Sequence, residues 1–230
     1  MSLIELDANN PQQVFPTPAQ ALAEPNGLLA YGGCLSEIRL INAYQLGIFP
    51  WYNPDEPILW WSPNPRLVLF PDRLKLSRSL QKTLRQKPFQ IKYDTAFEKV
   101  MHGCAAPREG SSGTWINPEI LNAYQKLHAS GVAHSFEAWQ QDELVGGLYG
   151  VAIGQVFFGE SMFHTKTDAS KVVFAHMVEQ LTAWGYRLID CQVTNKHLLS
   201  LGAEEIPRSQ FQDFLSEWCN ATPSASAWQR

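Results

Sequence analysis

The sequence is poor in the features that mark several common classes of protein. No stretch approaches the roughly 20 consecutive apolar residues that a membrane-spanning helix needs. The amino-terminal residues MSLIELDANNPQQ are acidic and lack the basic-then-apolar order of a signal peptide, so we expect a cytoplasmic protein with no membrane partner. Neither the cysteines (Cys34, Cys104, Cys191 and Cys219) nor the six histidines show the spacing of metal ligands or redox motifs. The sequence therefore predicts no metal.

Charge is also scarce and unevenly placed. Only 17% of the 230 residues are charged and the net charge is −4, which does not suggest a nucleic-acid-binding protein. Residues 1–60, however, contain six acids and one basic residue, whereas residues 73–92 contain seven basic residues and no acid. This asymmetry indicates a local anionic partner for the basic segment.

The basic segment SRSLQKTLRQKPF has the pattern of a helix that is capped by Ser77 or Ser79 and ended by Pro88. Arg78, Lys82 and Arg85 occur at i, i+4 and i+7, so they form one stripe on this helix. Such a stripe is usually a solvated helix face. The absence of acids makes a phosphate-binding surface an equally good interpretation.

The second half of the chain has strand-like and helical segments in a mixed order. GVAHSFEAW, ELVGGLYGVAI and QVFFGESMF are three strand-like runs joined by short turns, which predicts an antiparallel meander. The amphipathic segment DASKVVFAHMVEQLTAWG and the strand RLIDCQV follow. This order predicts an α+β fold with a mixed sheet flanked by helices. We expect a smaller α/β N-terminal domain with the basic helix at 1–90, a larger domain at 91–220 and a disordered tail at 221–230.

The strand RLIDCQV carries two polar residues that are costly to bury, Asp190 and Gln192. Side chains alternate along a strand, so these two share one face with Leu188 and lie about 7 Å apart. They form either a satisfied buried pair or a pair that converges on a ligand. The spacing alone leaves both alternatives open.

Ten motifs in order identify a family that the sequence closely resembles. They are EPNGLLAYGG, LGIFPWY, ILWWSPNPRLVLFP, GTWI, AYQKLH, AHSFEAW, LVGGLYGV, FFGESMF, ASK and LIDCQVTNKHLLSLGAEEIPR. Together they resemble the leucyl/phenylalanyl-tRNA–protein transferases of bacteria, from about Phe15 to Phe214. The resemblance implies transfer of Leu or Phe from aminoacyl-tRNA to the α-amino group of proteins that begin with Arg or Lys, which marks them for degradation. It also implies an N-acetyltransferase-like fold for the C-terminal domain and no cofactor.

The resemblance assigns roles to the polar residues. It implies that Asp190 orients Gln192, whose carbonyl oxygen accepts a hydrogen bond from the attacking α-amine. Glu160 matches a residue near the reacting groups, where an acid can also hold a cationic substrate. Asn195 lies in the matched stretch but equally suits a cap of the following helix, and the cap is the favoured interpretation.

The resemblance also implies two groups of apolar contacts. Trp51, Trp115 and Tyr124 match residues at the aminoacyl-adenosine end, where aromatic faces stack on a base. Met162, Phe163, Met177 and Leu181 either line a pocket for the Leu or Phe side chain or belong to the core, which is the usual place for such residues.

Two departures and two rival functions remain at this stage. We expect Asp in place of Cys34, which can alter a helix cap but not the chemistry, and the basic helix has Gln81 and Thr83 where more charge is expected. A CoA-dependent N-acetyltransferase is disfavoured because the loop HTKTDASK lacks the glycines that cradle a pyrophosphate. A non-catalytic module that stacks sugars or bases on its eight tryptophans leaves the Asp190–Gln192 face unexplained.

Overall fold

The computed structural model describes residues 3–107 and 114–229, and its strands form two sheets. In the smaller sheet the strand order is β1-β2-β4-β3. Its first two strands run parallel and the other neighbours run antiparallel. The strands are β1 (Ile4–Leu6), β2 (Leu28–Gly32), β3 (Phe49–Pro50) and β4 (Leu59–Trp61).

The larger sheet has seven strands among the described residues, in the order β11-β5-β10-β9-β8-β7-β6. The predicted meander is confirmed as three antiparallel strands, β7 to β9. The parallel pair β9–β10 makes the sheet mixed. The strands are β5 (Arg66–Leu69), β6 (Gln90–Tyr93), β7 (Ala133–Gln140), β8 (Glu143–Ile153), β9 (Val156–His164), β10 (Leu188–Gln192) and β11 (Glu204–Ile206).

Helices flank both faces of this sheet, so the expected α+β class with a mixed sheet is confirmed. They are α1 (Glu37–Gln45), α2 (Arg78–Gln86), α3 (Phe97–Ala105), α4 (Pro118–Ala129), α5 (Ala169–Ala183), α6 (Lys196–Ser200) and α7 (Arg208–Trp218). In α2 the cap is Ser77, whose hydroxyl accepts from the backbone N–H of Leu80 at 3.2 Å. No helix in the described part of the chain is long and apolar enough to cross a membrane.

Alternate residues of the large sheet enter two apolar clusters, one on each face. Phe158 of β9 and Leu188 of β10 pack with the smaller sheet and with α1, α3, α4 and α7. Phe157 and Ile189, their neighbours in the chain, pack on the opposite face with α2 and α5. The smaller sheet therefore shares a continuous core with one face of the larger sheet.

The sheets do not divide the chain near residue 90, where the sequence placed a domain boundary. β5 precedes that boundary, yet it pairs antiparallel with both β10 and β11. Leu80 of α2 also packs into the α5 side of the large sheet. The strand pairing puts the change between sheets at 62–65. Sequence periodicity missed it because the partners of β5 lie near the other end of the chain.

The C-terminal tail, which the sequence predicted to be disordered, packs against the large sheet as far as residue 229. The Trp228 ring stacks on His134 at 3.7 Å between centroids. Its Nε1–H donates to the hydroxyl of Tyr186 at 2.7 Å. One large aromatic side chain in this otherwise polar segment supplies the apolar contact that holds it against the sheet.

Candidate active site

A cavity of about 380 Å³ lies where β9 and β10 stop pairing with each other. These strands pair in parallel from Leu188–Val156 to Asp190–Phe158. Beyond that point β9 continues along β8 to His164, whereas β10 follows β5. Side chains at the ends of both strands therefore face a shared space.

Asp190 is completely buried beside this cavity and is neutralised by Arg66 of β5. The guanidinium donates from Nε to Oδ1 at 2.7 Å and from Nη2 to Oδ2 at 2.6 Å, a two-point pair. Its Nη1 donates to the carbonyl oxygen of Gly47, and its plane lies over Phe49 and Phe211. Asp190 is thus a fixed negative group that solvent does not reach.

Gln192 is positioned through its main chain by Asp190. Its backbone N–H donates to Asp190 Oδ1 at 3.0 Å. β10 has a bulge between these two residues, and Gln192 has φ 62°, in the left-handed region that is uncommon for a non-glycine residue. A bulge redirects the side chain that follows it. Strict alternation, as predicted from the sequence, ends at Asp190, and the bulge sets the direction of Gln192.

The side chain of Glu160 in β9 receives three hydrogen bonds. Oε1 accepts from the Tyr44 hydroxyl at 2.7 Å and from Gln192 Nε2 at 2.9 Å, and Oε2 accepts from the Tyr124 hydroxyl at 3.1 Å. The two tyrosine hydroxyls also contact each other. Because a carboxylate only accepts, the amide of Gln192 turns its NH₂ toward Glu160. Its carbonyl oxygen is therefore not the atom that contacts Glu160.

Glu160 changes its charge near neutrality. Burial, and after it the charge of Asp190, raises the pKa of its carboxyl group, whereas the hydrogen bonds from Tyr44, Tyr124 and Gln192 lower it. Together these effects raise the pKa from 4.5 to about 7. Burial and the charge of Glu160 raise the pKa of both tyrosines well above the usual range. Both hydroxyls therefore stay protonated as donors.

The structure brings half of the sequence-predicted site residues to this cavity. Those that line it are Trp115, Glu160, Met162, Met177, Asp190, Gln192 and Asn195. Asn195 also caps α6, since its Oδ1 accepts from the backbone N–H groups of His197 and Leu198. Asn195 thus makes the hydrogen bonds of the helix cap and also lies on the wall of the cavity.

Three predicted contacts have other surroundings. Tyr124 has no exposed ring face on which a base can stack, because it is 0% exposed and its hydroxyl holds Glu160. Phe163 alternates to the other side of β9 from Met162 and packs on Gly103. Leu181, one turn beyond Met177, is fully buried in the α5 core. The core alternative thus describes Phe163 and Leu181.

The other predicted residues lie outside the lining of the cavity. Trp51 follows β3, is 48% exposed and packs against Trp61. Arg78, Lys82 and Arg85 are exposed on α2, as a stripe at helical spacing predicts. In the motif GTWI, Gly113 lies outside the described residues.

Sequence reasoning missed two residues, distant along the chain, that hydrogen-bond to Asp190 and Glu160. Arg66 opens the apolar run RLVL, and a charge at such a position signals a buried partner. Tyr44 lies on the buried face of α1 with Leu40. Neither residue reveals its partner, because Asp190 and Glu160 lie more than 100 positions away.

Two family models match this chain. Residues 68–216 match the family model described as leucyl/phenylalanyl-tRNA protein transferase. Residues 33–64 match the model for the N-terminal domain of the same proteins.

The chain belongs to the leucyl/phenylalanyl-tRNA–protein transferase family.

Relatives of this family member are similar over nearly the whole chain. A leucyl/phenylalanyl-tRNA–protein transferase of Methylococcus capsulatus is 57% identical over 97% of this chain and 95% of its own length. That of Nitrosomonas europaea is 62% identical over 91% and 88%, respectively. That of Azotobacter vinelandii is 57% identical over 93% and 94%.

Solved structures resemble this family member only remotely. The structure of L-PGS from Bacillus licheniformis has 11% identity and a TM-score of 0.41, covering 73% of this chain and 53% of the other. A GCN5-related N-acetyltransferase from Kribbella flavida has 12% identity and a TM-score of 0.36, covering 70% and 58%. Likeness at this level carries no conclusion about ligands or activity.

One group of side chains in this family member has the composition of a metal site. Donor atoms of Asp94, His128 and His134 lie within 4.8 Å of one another. They already make hydrogen bonds: His134 Nδ1 lies 2.7 Å from Asp94 Oδ2, and its Nε2 lies 3.1 Å from the carbonyl oxygen of Gly131. His128 Nδ1 lies 2.8 Å from the carbonyl oxygen of Ala133. These contacts explain the cluster without an ion.

Proposed function

We propose that this chain transfers a leucyl or phenylalanyl group from tRNA to the α-amino group of proteins that begin with Arg or Lys. The observation that carries the proposal is the fixed amide of Gln192. Asp190 holds its backbone and Glu160 holds its NH₂ group. Gln192 lines a cavity that has both polar and apolar residues, so its carbonyl oxygen offers a hydrogen-bond acceptor there.

The reaction needs little more than this acceptor and good alignment. An aminoacyl ester is already activated, and an α-amine with a pKa of about 7.7 to 8.0 is partly neutral at neutral pH. We propose that the carbonyl oxygen of Gln192 accepts a hydrogen bond from the amine as it attacks the ester carbon. The C–O bond to the ribose then breaks. Alignment of the two substrates supplies most of the acceleration.

The apolar wall suits the transferred side chain. Its members come from β8, β9, β10, α5 and α6, and they are Leu148, Met162, Phe174, Met177, Ile189 and Leu198. Flexible methionines adapt to both a branched and an aromatic side chain. We propose that Leu or Phe binds against this wall.

Two tryptophans, one in the cavity lining and one close to it in the chain fold, suit the adenosine end of the tRNA. Trp115 lines the cavity just before α4. Tyr52, the neighbour of Trp51, donates to Glu119 in the first turn of the same helix. This contact ties the exposed Trp51 to the Trp115 side of the cavity. We propose that these two tryptophans stack on the terminal base.

We propose that Glu160 acts on the protein substrate indirectly, through Gln192. The sequence suggested that Glu160 also holds the cationic side chain of the N-terminal Arg or Lys. Its two oxygens, however, already accept three hydrogen bonds. A direct ion pair between Glu160 and the Arg or Lys side chain of the protein substrate would displace the amide of Gln192. We therefore propose that Glu160 orients this amide instead.

The CoA-dependent alternative fits the structure less well. A pyrophosphate would need the positive N-terminus of α5. The residue at that end is Asp168, whose carboxylate lies 3.1 Å from Lys171 Nζ. A negative side chain at this point repels an anionic ligand.

The direct test is incubation of the chain with labelled Phe-tRNA and a peptide that begins with Arg. We expect labelled peptide, and much less with a matched peptide that begins with Ala. Labelled acetyl-CoA in place of the tRNA serves as the control for the acetyltransferase. Retention of all label on the tRNA with both peptides would reject the proposed function.

The raised pKa of Glu160 predicts a pH dependence. With a pKa of about 7 instead of 4.5, Glu160 is mostly protonated at about pH 6 and mostly ionised at about pH 8. Only the ionised form offers both oxygens to Gln192 and the two tyrosines. We expect the single-turnover rate to rise as the pH rises through about 7. The substrate amine adds a second rise near its own pKa.

The variant Glu160→Gln separates the two rises. It removes the titrating group but keeps the size of the side chain. We expect the rise near pH 7 to vanish and the rise due to the amine to remain. Two rises in the profile of Glu160→Gln would show that another group titrates near pH 7.

The stripe on α2 predicts where the tRNA backbone lies. We propose that Arg78, Lys82 and Arg85 contact phosphates, and we expect the triple alanine variant to bind charged tRNA more weakly. The slope of log K against log salt should fall in magnitude by about 2 to 3, roughly one per lost contact. Selection between Leu and Phe should not change, because phosphates carry no sequence information. The control is Lys126→Ala on α4, and an unaltered slope in the triple variant would place the tRNA on another surface.

A further inference from the structure

Arg39 at the start of α1 is a buried cation that pairs with no carboxylate of the described residues. It is 0% exposed. Its Nη2 donates to the backbone carbonyl oxygens of Asp7 and Asn10, and its guanidinium lies over the ring of Phe15. Within residues 3–107 and 114–229, its Nε and Nη1 have no hydrogen-bond partner. A buried guanidinium in this state needs a compensating anion.

Cys34 is the group placed to supply it. The Gly32–Gly33 turn presses the chain against Arg39, since a Cβ on Gly33 would lie 3.3 Å from its Cζ and Nε. Cys34 follows directly and is partly exposed. Burial raises the pKa of its thiol, but the backbone N–H and hydroxyl of Ser36 and the Arg39 guanidinium outweigh burial and lower it overall. Ser36 is also the cap of α1, so Cys34 does not take part in the cap.

The other cysteines have the opposite environment. Burial raises the pKa of Cys191 and of Cys219, and the charge of Asp190 raises both further. Cys104 lies in α3 and is buried in the core. Cys34 therefore differs from Cys191, which is also partly exposed but whose neighbouring cation Arg66 is paired with Asp190. Cys34 lies beside a buried cation that no carboxylate of the described residues pairs.

We propose that Cys34 is a thiolate that completes the ion pair with Arg39 and is the site at which soft electrophiles, hydroperoxides among them, modify this chain. With a hydroperoxide, the thiolate sulfur attacks one peroxide oxygen. An S–O bond forms, the O–O bond breaks, and the sulfur loses two electrons to give a sulfenic acid. The leaving hydroxide or alkoxide takes up a proton from water.

Alkylation of the native full-length chain with limiting iodoacetamide tests this inference. The label on each cysteine is measured by peptide mass spectrometry between about pH 6 and about pH 9, with N-acetylcysteine as the reference thiol. We expect Cys34 to take most of the first equivalent at neutral pH, about 10-fold faster than Cys191, with a midpoint below about 8.5. A midpoint equal to that of N-acetylcysteine, or earlier labelling of Cys191, would overturn the proposal.

Variants connect this reactivity to its cause. Arg39→Gln should raise the midpoint of labelling. Ser36→Ala serves if Arg39→Gln does not fold, since it removes one donor to the sulfur at the cost of a helix cap. Cys34→Ser should abolish the fast label. Cys34→Asp should raise Tm, because a carboxylate suits the guanidinium better than a thiolate does. A lowered Tm for Cys34→Asp would show that Arg39 needs no anion there.

A second probe tests the oxidation itself. After treatment with hydrogen peroxide, dimedone traps a sulfenic acid as a stable adduct. We expect the adduct at Cys34 in the wild type and none in Cys34→Ser. Absence of the adduct at Cys34 in the wild type, under conditions that oxidise N-acetylcysteine, would contradict the proposed modification.

Discussion

Gln192→Ala is expected to lower kcat by about 10² to 10³, the usual effect of losing one well-placed hydrogen bond to the reacting groups. The affinity for charged tRNA should be nearly unchanged, because the amide meets the attacking amine rather than the tRNA body. Single-turnover transfer at saturating substrates measures the effect. Turnover near the wild-type rate would remove Gln192 from the mechanism.

Two further substitutions separate the side chain from its unusual backbone. Ala at φ 62° is strained, whereas Gly adopts this conformation readily. We expect Gln192→Gly to be at least as stable as Gln192→Ala and equally slow. Gln192→Glu places a second carboxylate beside Glu160 and cannot donate to it, so we expect it to be slow as well. Recovery of activity in Gln192→Gly would assign the loss in Gln192→Ala to strain.

Asp190→Ala is expected to have the largest combined effect on activity and stability. It leaves the guanidinium of Arg66 buried and without a carboxylate, which costs about 3–5 kcal/mol of unfolding free energy. It also releases the backbone N–H of Gln192. Urea unfolding and single-turnover transfer on the same preparation measure both losses. The adjacent Cys191→Ala is the control, and it should transfer at the wild-type rate because no covalent intermediate is required.

The pair Arg66→Met and Asp190→Leu distinguishes folding from function. A double variant with apolar residues removes both buried charges together, so most of the stability should return. Activity should not return, since nothing then holds the bulge at Gln192. A stable double variant with wild-type turnover would show that Asp190 serves the fold alone.

Local sequence patterns predicted much of the fold because they depend on neighbouring residues. Of the two predicted caps of the basic helix, Ser77 is the one that forms, with a bond of 3.2 Å from the backbone N–H of Leu80 to the Ser77 hydroxyl. The meander and the amphipathic α5 follow equally from short-range periodicity. The place of β5 in the large sheet and the docking of Trp228 depend on partners far along the chain, which periodicity does not reveal.

The candidate site divides in the same way. Alternation along RLIDCQV predicted that Asp190 faces the same side as Leu188. The sequence did not predict the buried ion pair between Asp190 and Arg66, which only the structure shows. The bulge that turns Gln192 toward Glu160 is set by pairing with β5 and has no signature in the strand itself. The family resemblance singled out Glu160 from the sequence. Only the three-dimensional structure shows that Tyr44 and Tyr124 donate hydrogen bonds to it.

The position of β5 has a consequence for how the chain folds as it leaves the ribosome. This strand is synthesised in the first third of the chain, yet both strands that flank it, β10 and β11, are synthesised in the last fifth. Until they emerge, both edges of β5 lack their partners and its apolar residues have incomplete packing. Completion of the large sheet, and with it the Arg66–Asp190 pair, therefore waits until β10 and β11 have been synthesised. A nascent chain that stalls before residue 188 would need a chaperone to avoid aggregation.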